Sequence, residues 1–446
     1  MRHTPVASSR PRRIVAAVAA SSTVAAMSTL ASLPLGPSSA LAADKPQAAH
    51  NVSFTGWDFG DTTPAGDYEG TLVDTGALRL GTPTSTRAYD DPHDGEVGDR
   101  VYDEGTWVSA EVDPAFDFTE LVASWNARTP GGSWVQVSVS GTAAGSATKW
   151  YVLGRWAEGD VTFHSTSVPG QGDDQATVAI DTLVARPGVS FDDARVRVSL
   201  LRPQGSTSSP TVDFVGAMAS YVVAGKKQPV SATTMTKDTI LGVPTYSQET
   251  HIGHYPQWDS GGEAWCSPTS TTMVLRYFDP SAPPAADYQW VLDDDPGHED
   301  PYVDHAARYT YDYNYDGAGN WPFNTAYAAR FGNEAFVTRL RSLAEAERFI
   351  SAGIPLVVSL SFKKSQLSGA GYGTNGHLLT VVGFEADGDV VVNDPASHLI
   401  PSNGEVRVVY DRAEFEQAWV GSTGGITYVI HPESVPLPPA PADANW

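Results

Sequence analysis

Cysteine is nearly absent from this chain: Cys266 is the only one in 446 residues. No internal disulfide can form, so stability has to come from core size. Basic residues are also scarce, with Lys+Arg at 28 against Asp+Glu at 52 and a net charge of −24. A surface this acidic repels phosphate backbones and anionic lipid headgroups, which argues against nucleic-acid or membrane-surface binding. Past the first stretch, no apolar run reaches the roughly 18–20 residues needed to span a bilayer. The sequence shows no internal repeat, and its first half shows no helical period of useful length.

The opening stretch is expected to be an export signal over residues 1–42. Arg2, Arg10, Arg12 and Arg13 form a basic region, an Ala-rich apolar run follows from Ile14 to Ala31, and Ala40-Leu41-Ala42 supplies a small-x-small cleavage pattern. Arg12-Arg13 leaves a twin-arginine route open beside the general secretory one. Removal of this stretch makes the mature chain more acidic still. A secreted, extracellular protein is therefore expected. In an oxidising compartment an unpaired thiol is a liability unless it is buried or does chemistry.

With 41% hydrophobic residues the chain is long enough for two domains. Residues 50–224 read as β: short Val-, Trp- and Tyr-rich runs alternate with Gly/Pro/Asp/Ser clusters. In Trp134–Ser140 three Val share one face, Arg195–Leu200 alternates with Arg turned to water, and Trp150–Trp156 is a third strand. Many short alternating strands predict an all-β sandwich, jelly-roll-like, with a possible role in substrate or surface binding. Trp125, Trp134, Trp150 and Trp156 could there form a carbohydrate platform or simply core. Residues 225–237 read as a linker. Residues 238–434 change to mixed α+β character. Ser342 with Glu345 opens a helix through Ala352, closed by Gly353. Strands are expected at Ile354–Phe362, His377–Phe384 and Asp389–Asn393, and Asp411 with Glu414 opens a short helix. Residues 435–446 read as a flexible tail.

The cysteine sits where a glycine-rich loop, Gly261-Gly262-Glu263-Ala264-Trp265, runs into a helical pattern from about Ser267. A helix N-terminus favours a thiolate by about 0.3–1 kcal/mol, up to about 2 if partly buried. That is one pKa unit or slightly more, so a cationic neighbour is still needed for ionisation at neutral pH. His377 is the candidate: a turn at Asn375-Gly376 leads into an apolar strand that starts on the ring. The neighbouring strand ends at Asn393-Asp394-Pro395. Asp394 would accept the Nδ1–H of His377 and hold its tautomer; Asn393 is the rival orienter.

These segments resemble the C39-like peptidases of the papain-like cysteine peptidase superfamily. The resemblance runs from about Ile240 to Pro432. It rests on Val243-Pro244-x-Tyr246-Ser247-Gln248, on Trp265-Cys266-Ser267-Pro268-Thr269-Ser270, on Gly376-His377 with its valine-rich strand, and on Asn393-Asp394-Pro395. It implies a papain-like fold with Cys266 as nucleophile, His377 as general base, Asp394 as orienter, and an upstream Gln as donor to the oxyanion. Gln248 is the first choice for that donor and Gln257 the second. The chain departs from the family in two places. Glu249 to Trp265 looks like an insertion between Gln and Cys, and Ser267 stands where the family often has Gly.

The function expected is a secreted cysteine peptidase or amidohydrolase, acting on a peptide or protein substrate that could belong to the cell wall. A cell-wall amidase or transferase could share the triad. A surface-binding protein with an inactive papain-like half is the non-enzymatic rival. A monomer is expected, with no cofactor and no metal. Asp312-Tyr313-Asn314-Tyr315-Asp316-Gly317 imitates an EF-hand start, but Phe323 stands where the bidentate Glu belongs. His251, His254, His298 and His305 show no recognisable third ligand and read as surface residues. The aromatic stretch Tyr309–Tyr327 is open between cleft lining and core.

Overall fold

The computed structural model describes residues 50–95, 98–223 and 227–446. The expected export signal and the start of the expected linker lie outside the described residues.

The first half is a two-sheet antiparallel sandwich. One sheet is built around Thr211–Val222, which pairs with Glu120–Arg128 on one side and with His50–Asp58 and Ala77–Leu80 on the other. The second is built around Asp193–Pro203, which pairs with Trp134–Ala143 and with Arg100–Ser109. Alternation fills the space between them: Val135, Val137, Val139, Val196, Val198 and Leu200 all enter one core. The outward side of Trp134–Ala143 is covered too, because Gln136 accepts from Arg87 and Arg155 at 3.0 and 3.1 Å. Trp125, Trp134 and Trp156 are fully buried, which removes them from any sugar platform. Burying a Trp hides roughly 150–250 Å², an apolar transfer of about 4–6 kcal/mol at about 25 cal/mol/Å². Trp150 stays half-buried under the Arg197 guanidinium, 4.5 Å from its ring centre.

The second half is α+β. Its sheet runs Glu334–Arg339, Ile426–His431, Leu356–Phe362, Thr374–Phe384, Val390–Asn393, Arg407–Tyr410, all antiparallel, with Thr239–Ile240 added beside Thr374–Phe384. The helices are α1 (Cys266–Phe278), α2 (Gln289–Asp294), α3 (Pro301–Thr310), α4 (Trp321–Ala329), α5 (Leu343–Ser351) and α6 (Arg412–Thr423). The caps of α5 and α6 form as their sequences require. Ser342 Oγ accepts from Glu345 N at 3.3 Å, and Asp411 Oδ1 accepts from Glu414 N at 2.9 Å. Helix α3, whose Val303, Ala306, Ala307 and Thr310 form one buried face, starts on Pro301, and α4 starts on Asn320-Trp321-Pro322, with Asn320 capping Phe323 N.

The halves share a packed seam. Phe323 and Ala326 of α4 belong to the sandwich core, and Asp181 of the sandwich accepts from Trp321 N at 2.8 Å. Asp312 is buried there and holds Ser167 N, Asn314 N, Tyr315 N and Asn320 Nδ2 within 3.1 Å. The EF-like run is thus a turn fastening the two halves, and its leading carboxylate is already fully bonded. Much of the Tyr309–Tyr327 stretch is core, with Tyr327 and Phe323 fully buried.

The segment read as a linker and the tail expected to be flexible both make fixed contacts. Within the linker, Thr234 N and Thr233 Oγ1 donate to Glu347 at 2.7 Å, and Ser231 N donates to Glu416 at 2.7 Å. In the tail, Asn445 Nδ2 donates to Arg339 O at 2.8 Å, and the Trp446 ring lies edge-on to Phe349 with centroids 4.9 Å apart. A terminal aromatic ring with an apolar groove in reach is more stable buried than exposed.

Candidate active site

Cys266 is the first residue of α1 and is partly exposed at its N-terminus. Helix α1 is rich in Ser and Thr because it is bolted across the sheet by polar bonds. Ser270 Oγ donates to Leu378 O at 3.2 Å, Thr380 Oγ1 donates to Ser270 O at 3.3 Å, and Ser267 Oγ meets Tyr428 Oη at 3.0 Å. These bonds set the first turn of α1 against the strand that carries His377. The Cys266 thiol is near enough to the His377 ring to raise its pKa.

The strand Thr374–Phe384 begins three residues before His377, so Asn375-Gly376 is not the expected turn. His377 pairs with Leu360 and Thr374 with Phe362, so Asn375 and Gly376 together oppose Ser361. This is a β-bulge, a device that re-aims a side chain next to it.

His377 is 5% exposed and Asp394 is 0% exposed. The ring meets the carboxylate through Nε2, 2.8 Å from Asp394 Oδ1. This corrects the expected Nδ1 contact: Asn393 pairs with Thr380, so Asp394 does not lie directly opposite His377 and the ring reaches it with its distal nitrogen. Asp394 accepts three further bonds, from Ala396 N at 3.0 Å, Tyr372 Oη at 2.7 Å and Tyr410 Oη at 3.0 Å. Burial alone would push the His377 pKa down. The Asp394 charge and hydrogen bond, with Cys266, outweigh it and raise the ring to about 10. Burial would likewise raise Asp394, but the His377 charge and bond and the two tyrosines hold it below the ordinary carboxylate value. Asn393 is committed elsewhere: its amide donates to Pro244 O at 2.9 Å and its oxygen accepts from Arg407 at 2.5 Å.

Gln248 opens a short 3-10 turn, Gln248–His251, whose first N–H donates to Pro395 O at 2.8 Å, directly after Asp394. Its carboxamide donates to Glu263 O at 2.8 Å and to Glu249 Oε1 at 3.3 Å. The turn thus bridges the Asp394 strand end and the loop into Cys266. Gln257 is exposed and lines a different hollow, with His254 and Asp295.

Several residues at the site carry no sequence signal. Tyr372 and Tyr410 are isolated in unrelated segments. Glu249 is 7% exposed; burial raises its pKa, Gln248 opposes this, and the charges of Glu263, His377 and Asp394 also reach it. Tyr315 and Tyr428 lie near enough for the Cys266 charge to act on their hydroxyls, on top of burial. Of the histidines read as surface, His251 and His305 are 0% and 1% exposed, and His251, His254 and His298 converge on Asp304. The i,i+3 spacing of His251 and His254 was visible in the chain, but their partners come from beyond α1.

An antiparallel sheet with a cysteine-led helix laid across it, a histidine on one strand and a carboxylate just past the end of the next, is the papain-like α+β class. Residues 240–426 match the family described as Peptidase_C39 like family, and residues 53–220 match the Peptidase C39 N-terminal domain. The second half of the chain therefore belongs to the C39-like peptidase family, and the first half matches the N-terminal domain named for it. No curated protein matches the chain. Among solved structures, a protein assigned as a C39-like peptidase from Bacillus anthracis is similar at 19% identity, over 43% of this chain and 97% of that one. Its TM-score of 0.27 is too low to add to the fold assignment. Family membership implies a hydrolase.

Proposed function

We propose that the protein is an exported cysteine peptidase or amidohydrolase that cleaves amide bonds through Cys266, His377 and Asp394. The observation that carries this reading is the buried His377–Asp394 pair, 2.8 Å apart, set beside the chain's only thiol at a helix N-terminus.

In this reading the Cys266 thiolate attacks the scissile carbonyl carbon. The oxyanion is taken up by the Cys266 backbone N–H and by the Gln248 carboxamide, which turns one of its two N–H groups from Glu249 Oε1 to the substrate. His377, protonated and held through Nε2 by Asp394, delivers the Nδ1 proton to the leaving nitrogen. The C–N bond breaks, the amine departs and a thioester remains. A water then gives a proton back to Nδ1 while its oxygen attacks the thioester, releasing a carboxylic acid and restoring the thiolate–imidazolium pair. The substrate is a peptide or protein, and the N-terminal domain holds substrate or surface.

The test is digestion of a peptide library by the mature protein, with Cys266→Ala as control, together with iodoacetamide labelling at mildly acidic pH. Cleavage lost in Cys266→Ala, and rapid labelling lost in His377→Ala, are expected. Labelling of the wild type only after denaturation would sink the reading. Export is tested by N-terminal sequencing of protein recovered from the medium; retention of residues 1–42 on protein confined to the cell counts against it.

A further inference from the structure

Away from the thiol, four side chains from two segments point at one another: His251 and His254 from the loop before α1, and His298 and Asp304 at the start of α3. One ligand atom from each lies within 4.8 Å of the others. His254 Nδ1 is 3.3 Å from His298 Nε2, His251 Nδ1 is 3.0 Å from Asp304 Oδ2, and His254 Nδ1 is 3.9 Å from Asp304 Oδ1. His298 Nε2 approaches Asp304 Oδ2 to 2.5 Å. An ion held at about 2.0–2.1 Å in a tetrahedron would separate its ligand atoms by about 3.3–3.4 Å, in the middle of this range.

The cluster is short of hydrogen bonds in its own terms. His251 and Asp304 are 0% exposed. Both ring nitrogens of His251 and the Oδ1 of Asp304 are buried without a hydrogen-bond partner; His251 Nδ1 is close to the carboxylate but off the line of a bond. Leaving such groups unsatisfied is unfavourable, and more so when they are charged. Three imidazoles and one carboxylate offering lone pairs to one point are satisfied together by a cation.

We propose that His251, His254, His298 and Asp304 form a binding site for one divalent transition-metal ion, zinc by donor type. Nitrogen donors from three imidazoles with a single carboxylate suit zinc, cobalt or nickel, whereas magnesium and calcium require mostly oxygen. Four protein ligands leave no open position, so the ion is structural. Asp294 and Asp295 line the adjoining hollow with His254 and His298, which gives a cation an acidic way in.

The ion would act as the staple that a chain with one cysteine lacks. It ties the loop to α3. The glycines leading to Cys266 rest on the same loop: a Cβ at Gly261 would fall 2.2 Å from His254 O, and one at Gly262 2.4 Å from the His251 carbonyl carbon. His251 also ends the turn that begins with Gln248. A consequence for catalysis rests on the function proposed above; metal binding itself does not.

The experiment uses untagged mature protein, stripped with a chelator and then titrated with zinc against a chromophoric indicator. One equivalent per chain is expected, and the thermal midpoint of the stripped wild type should rise on adding zinc. Cobalt in its place should give the visible absorption of a tetrahedral centre. His254→Ala and His298→Ala should each weaken zinc by more than the about 10–100-fold that losing an outer-shell partner costs, while His93→Ala, on the sandwich, changes nothing. His254 is half-exposed, so its variant keeps the fold for the comparison. Failure of the stripped wild type to take up zinc or cobalt overturns the proposal. So does uptake that persists in the His254→Ala/His298→Ala double variant. Neither readout depends on peptidase activity.

Discussion

The Gln248 carboxamide donates to the backbone oxygen of Glu263 at 2.8 Å, three residues before the only cysteine. The proposed oxyanion donor and the loop that delivers the thiol are therefore one unit. Gln248→Ala should lower kcat/KM about 10²–10³-fold, the usual cost of one oxyanion donor. Gln257→Ala, on the exposed far side of the loop, should leave turnover unchanged. Wild-type kcat/KM in Gln248→Ala would remove Gln248 from the mechanism.

Asp394→Ala should cost about 3–5 kcal/mol of folding stability, since it breaks a buried pair and orphans its partners. The hydroxyls of Tyr372 and Tyr410 and the Nε2 of His377 would all lose their acceptor at once. Urea unfolding followed by tryptophan fluorescence measures this. An unchanged midpoint would mean that the four bonds drawn to this carboxylate do not matter to the fold.

The same pair sets a pH dependence. The His377 pKa is raised from 6.5 to about 10, so its contribution to stability is complete below about pH 6.5 and is lost as pH rises through about 10. Asp394 is held below 3.8, so its contribution is complete above that value and is lost as pH falls through the folded pKa. Unfolding midpoints should therefore be highest between these two limits. His377→Gln should remove the alkaline decline. A variant that loses stability at high pH as steeply as the wild type would count against the assignment.

Trp156→Ala should destabilise the sandwich by about 3–5 kcal/mol, as expected for a large core side chain. Retention of the full chain on wall polysaccharide, if it occurs, should survive this change under conditions where the variant is folded. A well-folded variant with wild-type stability and lost retention would restore a platform role for the buried tryptophans.

Deleting Asn445 and Trp446 should lower the thermal midpoint. The deletion removes the ring on Phe349, the amide bond to Arg339 O and the cation–π contact with Arg348, whose guanidinium carbon is 5.0 Å from the indole centre. Differential scanning calorimetry of the two chains decides it; identical midpoints would show the tail to be passive.

Much of this protein could be read from local chemistry. Alternating valines in Trp134–Ser140 and Arg195–Leu200 made strands because a pleated strand sorts its side chains by parity, whatever it faces. Ser342 with Glu345 and Asp411 with Glu414 started helices because a cap needs only its own first turn. A lone thiol between a glycine-rich loop and a helical run was readable as the head of a helix for the same reason. What depended on faces meeting across long sequence separations was decided by the tertiary structure. The placement of Asp394 past the end of the neighbouring strand brought it to Nε2 and not Nδ1. The closing of the sheet brought Tyr372 and Tyr410 onto Asp394. The packing of α4 into the sandwich set Phe323 against Trp125 and turned an EF-like run into a fastening, and α3 set His298 and Asp304 opposite His251 and His254. These contacts join segments far apart in the chain, so no local pattern names both partners before folding brings them together.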